Sequence, residues 1–135
     1  MFLILCHLVG DYILQTDHMA VEKTKKFSIA ILHAVSYSIP FMVVFCLLGI
    51  PLTKQAVILT IIAGSHAVID RYRIARYICW AKNLMSPKKY RYSWSMCTDT
   101  GYHNNRPAWL TVWLMIITDN TLHLVINALA VKYLV

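Results

Sequence analysis

Charged residues are scarce in this 135-residue chain, and acidic residues are the scarcest. Only 14% of the residues are charged, with six Asp or Glu residues against thirteen Lys or Arg residues, while 59% are hydrophobic. Soluble globular proteins contain about 25% charged residues and cannot bury so large an apolar fraction at this length. A lipid bilayer can cover apolar helix faces, so the composition excludes an ordinary soluble domain and indicates an integral membrane protein.

Several motifs of well-known chemistry are also missing. The chain contains no glycine-rich phosphate loop, no GxSxG segment and no HExxH segment, which argues against nucleotide hydrolysis and serine chemistry. It has no CxxC pair among its four cysteines, and thiols within apolar helices usually act as small hydrophobic groups. We therefore expect no disulfide. The start of the chain has no basic region before its apolar stretch, so we expect no removable signal peptide.

Hydropathy divides the chain into four helical segments. They cover residues 2–20, 27–50, 54–84 and 107–133, and hydrophilic stretches lie at 21–26 and 85–106. Pro107 follows two asparagines, which is typical of the first turn of a helix. We predict an all-α fold, a polytopic membrane four-helix bundle that forms a single domain over residues 1–135, with a cytoplasmic loop at about 85–106.

The basic residues are unevenly distributed along these segments. Eleven lie in the first and third connections and at the adjoining end of the third helix, whereas only Lys54 and Lys132 lie at the other side. Because cytoplasmic loops accumulate Lys and Arg, we expect both termini outside the cytoplasm, in the inner membrane of a bacterium or phage host. The net charge of +7 then reflects contact with anionic lipid headgroups, and we expect no nucleic-acid partner.

Ionisable residues recur at helical spacing inside the predicted spans. Three helices each carry a His/Asp pair four residues apart, which places both side chains on one face. The second helix adds one further histidine. The candidate metal ligands are His7, Asp11, His33, His66, Asp70, Asp119 and His123.

Buried ionisable groups need partners, because each costs about 2.5 to 3.5 kcal/mol at the centre of a membrane helix. A divalent metal would neutralise the aspartates, and imidazole with carboxylate ligands suits zinc, or manganese or iron. Two alternatives remain open. The pairs could bond within and between helices in a protein that oligomerises or binds a host envelope partner, or they could line a proton or ion path. The helical rise places Asp70 and His123 about two turns outward of the other ligands, so one compact shell does not follow from spacing.

The hydrophilic segment 85–106 and the end of the third helix contain candidate anion-binding groups. We consider Arg71, Arg73 and Arg106 as phosphate-binding residues, with Lys88 and Lys89 as further candidates. The same segment has Cys97, Asp99 and His103 at loose ligand-like spacing. Its Tyr, Trp, Lys and Arg residues are equally typical of the aromatic belt at a membrane surface, which we favour here.

Three segments carry a resemblance to a known family. They are HLVGDYILQTD near the start, SHAVIDRYRIARY in the centre and TGYHNNRPAWLTVWLMIITDNTLHLVINAL towards the end. They resemble a family of small bacterial and bacteriophage multi-pass membrane proteins catalogued as a domain of unknown function. More distantly, the His/Asp pattern is similar to that of membrane-embedded metal-dependent hydrolases, including those that act on phospholipids. That similarity implies roles for His7, Asp11, His66, Asp70, Asp119 and His123.

The leading functional hypothesis combines these observations. The protein would bind a divalent metal and hydrolyse a lipid-linked or phosphate ester at the cytoplasmic side of the bilayer. Asp11 or Asp119 would act as the general base, and Arg71, Arg73 or Arg106 would neutralise the phosphate. The lipid bilayer is the expected partner, and a homo-oligomer is compatible with the sequence.

Overall fold

The computed structural model describes all 135 residues and contains only helices, turns and connecting segments. The α-helices are α1 (Phe2–Leu8), α2 (Asp17–Glu22), α3 (Phe27–Leu47), α4 (Leu52–Tyr72), α5 (Ile74–Asn83) and α6 (Ala108–Leu134). A π-helix (Val9–Ile13) continues α1, and two short 3-10 helices (Lys88–Tyr90 and Trp94–Met96) lie between α5 and α6. Three helices, α3, α4 and α6, are long and apolar enough to cross a membrane. The predicted all-α membrane bundle is therefore confirmed.

The chain divides into two compact units. One comprises Met1–Tyr72 together with His123–Val135, and the other comprises Arg73–Leu122. The prediction of a single domain over residues 1–135 stays a prediction. The first unit contains α1 to α4 and the last part of α6, and most of the predicted metal ligands fall within it.

The first predicted helix, over residues 2–20, is interrupted in the structure. Its apolar part ends at Ile13, and Thr16 has an extended backbone with φ −81° and ψ 160°. The Thr16 hydroxyl accepts a hydrogen bond from the Met19 amide and so caps a new helix, α2. The apolar helix Phe2–Ile13 is about 18 Å long at 1.5 Å per residue, less than the roughly 30 Å core of a bilayer.

The third predicted helix, over residues 54–84, is also two helices. Arg73 separates α4 from α5 and adopts a left-handed backbone conformation with φ 51° and ψ 50°, which costs about 1–2 kcal/mol for a residue with a side chain. Contacts within the second unit offset this cost. The Arg73 guanidinium donates to the Asp99 carbonyl at 2.8 Å, and that of Arg76 donates to the Thr98 carbonyl at 3.1 Å.

The segment 85–106 packs on α5 within the second unit. The Trp80 indole donates to the Tyr92 carbonyl at 3.0 Å, and the Asn83 amide donates to the Gly101 carbonyl at 3.2 Å. Gly101 has φ 82°, a conformation that glycine adopts without steric cost. The segment predicted as a loop is therefore held by specific hydrogen bonds to the neighbouring helix.

An apolar core and a polar cluster occupy different parts of the first unit. The second half of α3 and the first half of α4 supply the buried core residues Phe41, Phe45, Ile58 and Ile62. The first half of α3 and the last turns of α4 supply buried polar residues instead. α3 and α4 pack on each other after a short turn, so the start of α3 lies beside the end of α4. The buried polar groups of the two helices therefore meet near the connection between α2 and α3.

Gly10 permits the π-helix to approach α3 closely. A Cβ atom at this position would lie 2.6 Å from the Tyr37 carbonyl oxygen and 2.8 Å from Tyr37 Cδ2. Both distances are shorter than van der Waals contact, so a larger residue would push the π-helix away from α3. The position of Asp11, the next residue, depends on this approach.

We expect Gly10→Ala to lower the free energy of unfolding by about 1–3 kcal/mol, because the added methyl group clashes with Tyr37. Gly64→Ala is the matched control, since a Cβ atom there meets nothing within 4 Å and alanine favours helix. Thermal unfolding in detergent, followed by circular dichroism, measures both effects. Equal stability of the two variants would contradict the close packing at Gly10.

Candidate metal centre

Four buried side chains from three segments of the first unit converge on one point. The π-helix supplies Asp11, the first half of α3 supplies His33, and the last turns of α4 supply His66 and Asp70. One ligand atom from each residue lies within 4.8 Å of all the others. Asp11 belongs to a π-turn, a local widening of the helix that is frequent at functional sites.

The separations between these atoms are short and similar. His33 Nε2 lies 3.0 Å from His66 Nε2 and 3.1 Å from Asp11 Oδ1. Asp70 Oδ2 lies 3.3 Å from His33 Nε2 and 3.2 Å from His66 Nε2. His66 Nε2 lies 3.7 Å from Asp11 Oδ1. Four ligands placed about 2.0–2.1 Å from a tetrahedral zinc ion would be about 3.3–3.4 Å apart, so these five spacings are close to those of a tetrahedral site.

The cluster is almost completely shielded from solvent. The side chains of His33 and His66 are 0% and 1% exposed, and those of Asp70 and Asp11 are 3% and 8% exposed. The His66 ring also stacks on Tyr37, with ring centroids 3.7 Å apart and planes 13° apart. The ligand atoms are therefore held by packing, which keeps them in place whether or not an ion is bound.

The protons available to the cluster cannot satisfy every contact at His33 Nε2. This nitrogen faces two carboxylate oxygens, to which it would have to donate, and it also lies 3.1 Å from Lys23 Nζ, from which it would have to accept. Asp70 Oδ2 is buried without an aligned hydrogen bond. Since one imidazole nitrogen carries at most one proton, any one protonation state of His33 leaves at least one of these contacts unsatisfied, whereas a central cation can accept the converging lone pairs.

Lys23 places a positive charge beside the same atoms. Its ammonium group lies 2.6 Å from Asp70 Oδ2 and 3.7 Å from Asp11 Oδ1. It comes from the end of α2, and its side chain is only 15% exposed. The Arg71 guanidinium donates to the Thr24 carbonyl at 2.7 Å and so ties the end of α4 to the turn that carries Lys23.

The neighbouring lysines have a different partner. Lys25 and Lys26 each lie 3.0 Å from Glu22, and hydrogen bonds from first Lys25 and then Lys26 lower the pKa of that carboxyl. Both lysine side chains are mostly exposed, at 59% and 62%. Of the three lysines in this turn, Lys23 is thus the one directed into the cluster.

Two further histidines lie behind the aspartates. His123 Nε2 is 3.4 Å from Asp70 Oδ1, and His7 Nε2 is 3.9 Å from Asp11 Oδ2. Each carboxylate therefore directs one oxygen at the four-atom cluster and the other oxygen at a second histidine. His7 and His123 are both 1% exposed, and their ring centroids are 5.7 Å apart.

The structure brings together more of the predicted ligands than we expected from their positions along the helices. Asp70 reaches His33 and His66 because side chains on a helix tilt towards its N-terminus, which directs Asp70 back along α4. His123 Nε2 lies 3.4 Å from Asp70 Oδ1, although its depth counted along the predicted helix placed it outward of the other ligands. The expected outward scatter of Asp70 and His123 is not observed.

The remaining predicted site residues are Asp119, Arg71, Arg73 and Arg106. Asp119 is half-buried and lies in the second unit, one helical turn before His123 in sequence; its role as ligand or general base stays a prediction. The guanidinium groups of Arg71 and Arg73 donate to backbone carbonyls, and Arg106 is exposed in the second unit. Phosphate binding by these arginines also stays a prediction.

Sequence reasoning missed the place of Lys23 in the cluster. Three lysines lie within residues 23–26, and nothing in the pattern distinguishes the one that turns inward. Tyr37 and Asn127 each follow a buried histidine by four residues, which places them on the same helix faces but gives no further signal of their role. In the structure the Asn127 amide donates to the Tyr37 hydroxyl at 2.7 Å, and that hydroxyl lies 2.9 Å from His7 Nδ1.

Comparison with known proteins gives one match, which covers the whole chain. The family model described as "Protein of unknown function (DUF3307)" matches residues 1–135. No curated protein and no solved structure matches the chain. The resemblance to a family of unknown function is confirmed, and the chain belongs to the DUF3307 family.

Proposed function

We propose that this protein is a membrane protein that binds a divalent metal ion through Asp11, His33, His66 and Asp70. The observation that carries the proposal is the convergence of two imidazole nitrogens and two carboxylate oxygens, all buried and within 4.8 Å of one another. The imidazole nitrogens lie 3.0 Å from each other and 3.1–3.7 Å from the carboxylate oxygens. Two nitrogen and two oxygen ligands suit zinc, and the carboxylates also admit manganese or iron.

The proposal includes an orientation in the membrane. The cluster lies six residues from the start of α3 at Phe27 and six residues from the end of α4 at Tyr72, or about 9 Å along either helix. That end of the unit carries Lys23, Lys25 and Lys26. Because basic residues favour the cytoplasmic side, the site faces the cytoplasm and the C-terminus, after the third crossing helix, lies outside it, in a bacterial or phage-host inner membrane.

The activity that we propose for this site is hydrolysis of a lipid-linked or phosphate ester. A bound divalent cation would supply Lewis-acid activation of a phosphoryl oxygen. Asp11 is a metal ligand in this arrangement, so we do not assign it as the general base. Lys23 lies beside the cluster and provides a positive charge for the phosphate, whereas Arg71 and Arg73 donate to backbone carbonyls. A substrate reaches the cluster only if the Lys23 side chain moves, because that side chain covers one face of it.

A second candidate function rests on the same lysine. Lys23 pairs with both Asp11 and Asp70, so a Lys–Asp–His network could neutralise the carboxylates without any metal. The cluster would then join α2, α3 and α4, as polar groups do between membrane helices. In that case the protein would act through assembly or binding to another membrane component.

Elemental analysis of detergent-purified protein separates these two candidates. We expect at least one divalent ion per chain in the wild-type protein after exposure to zinc or manganese and removal of free metal. Asp70→Asn and His66→Ala should each lose that ion, because each removes one of four ligands. His18→Ala should retain it, since His18 is exposed and outside the cluster. Folded wild-type protein without bound metal would refute the proposal.

Lys23→Met should strengthen metal binding by about tenfold or more. The ammonium group lies beside three of the four ligand atoms, and unit charges about 4 Å apart interact by roughly 4 kcal/mol at an effective dielectric constant of 20. Lys25→Met is the matched control, because Lys25 pairs with Glu22. Competition with a metal indicator dye measures the affinity. Unchanged or weaker binding in Lys23→Met would favour the metal-free network.

Hydrolysis is tested with phosphatidic acid in mixed micelles and with a soluble aryl phosphate. We expect metal-dependent release of phosphate from one of these probes by the wild-type protein, and loss of release in Asp70→Asn. His18→Ala is again the control. Metal-loaded wild-type protein that releases no phosphate from either probe would contradict the hydrolase proposal but not the metal site.

A further inference from the structure

Helix α5, in the second unit, has one packed face and one open apolar face. On the packed face Ala75 and Cys79 are buried, and the side chains of Trp80 and Asn83 donate to backbone carbonyls of the segment 85–106. The open face has the spacing of one side of a helix and continues into the turn after Asn83. Its exposed members, which we call the α5 stripe, are Tyr77, Ile78, Ala81, Leu84 and Met85.

The chain connectivity places α5 at a membrane surface. Both α4 and α6 are long and apolar enough to cross a membrane, so the residues 73–107 between them leave and re-enter the bilayer at the same surface. The left-handed backbone of Arg73 separates α5 from α4. With ten residues, α5 is about 15 Å long and too short to cross a core of roughly 30 Å. Its apolar stripe therefore belongs to a helix that does not span the membrane.

The charge around the α5 stripe favours an anionic partner. Residues 73–107 contain seven Lys or Arg residues and one acidic residue, Asp99. Lys88 and Lys89 come soon after the stripe and are exposed, and the Lys89 ammonium lies over the Tyr90 ring, 5.0 Å from its centroid. A second copy of the chain fits this surface poorly, because two such basic surfaces would repel each other. Anionic lipid headgroups have the complementary charge.

Aromatic side chains of the second unit have the distribution typical of a membrane surface. Trp109 and Trp113 lie in the first two turns of α6 and are 70% and 62% exposed, and tryptophan is enriched where a crossing helix meets the headgroups. Tyr77 of the α5 stripe stacks on Trp94, with ring centroids 4.6 Å apart. The Arg76 guanidinium lies 4.9 Å and 5.4 Å from the centroids of these two rings. Rings with a cation above them suit the boundary between lipid and water.

We propose that α5 lies in the plane of the membrane surface, inserts its stripe among the lipids and binds anionic phospholipid headgroups through Lys88 and Lys89. Amphipathic helices with basic residues bind membranes in this way, because burial of the apolar face and attraction to anionic lipid act together. The inference does not depend on the proposed metal site, which belongs to the first unit.

Spin-label accessibility measures where the α5 stripe lies. The labels are attached one at a time in Ile78→Cys and Met85→Cys, in a Cys46→Ser background because Cys46 is the one exposed native thiol. The full chain is reconstituted in bilayers of phosphatidylglycerol and phosphatidylcholine. Both labels should collide more with oxygen, which concentrates in lipid, than with a water-soluble nickel complex. A label in Ser95→Cys, on the segment that covers the other face of α5, should show the reverse.

Two outcomes of this measurement would overturn the inference. Labels at positions 78 and 85 that meet the nickel complex as often as the label at position 95 would show that the α5 stripe faces water. Exclusion of both oxygen and the nickel complex from positions 78 and 85 would show that protein, such as a second copy of the chain, covers the stripe.

Matched charge variants test the headgroup. Native mass spectrometry of the detergent-solubilised protein compares the binding of phosphatidylglycerol and phosphatidylcholine. The double variant Lys88→Gln/Lys89→Gln should bind phosphatidylglycerol about fivefold or more weakly, because each lysine near an anionic headgroup contributes to binding. The control Lys54→Gln/Lys132→Gln removes the same charge from the opposite ends of α4 and α6 and should bind like the wild type. Equal weakening in both double variants, or none in Lys88→Gln/Lys89→Gln, would overturn the assignment.

Discussion

The burial of two carboxylates, Asp11 and Asp70, is the constraint on which the first unit depends. Each is at most 8% exposed, and an ionised carboxylate in such a place is stable only beside positive charge or well-directed donors. Four histidines, one each from α1, α3, α4 and α6, and one lysine lie within 4 Å of the carboxylate oxygens. These ionisable side chains, which are most stable in water, are thereby held between apolar helices.

The surrounding fold follows from where the polar and apolar residues fall along each helix. In α3 His33 precedes the buried aromatic residues Phe41 and Phe45, whereas in α4 the buried residues Ile58 and Ile62 precede His66. The antiparallel pairing of the two helices therefore separates a dry core from a polar centre without any additional layer. Gly10 then admits the π-helix close to Tyr37, which brings the Asp11 carboxylate to the histidines.

Much of this centre was predictable from the sequence, because helical periodicity is a local property. The spacing of His66 and Asp70 places both side chains on one face of any α-helix. The free-energy cost of burying ionisable side chains in a membrane predicts that they contact other polar groups. The boundary at Arg73 was not predictable, since the hydrogen bond that its guanidinium donates goes to the carbonyl of Asp99, 26 residues away. The inward turn of Lys23 was equally hidden, because its partners lie on other segments of the chain.

X-ray absorption at the metal edge of the purified, zinc-loaded protein tests the central claim most directly, because it reports the atoms bound to the ion. The account predicts only nitrogen and oxygen neighbours at about 2.0–2.1 Å, with the outer-shell scattering of imidazole rings from His33 and His66. That imidazole scattering should decrease in His66→Ala and stay unchanged in His18→Ala. Sulfur neighbours at about 2.3 Å, or a spectrum without imidazole scattering, would contradict it.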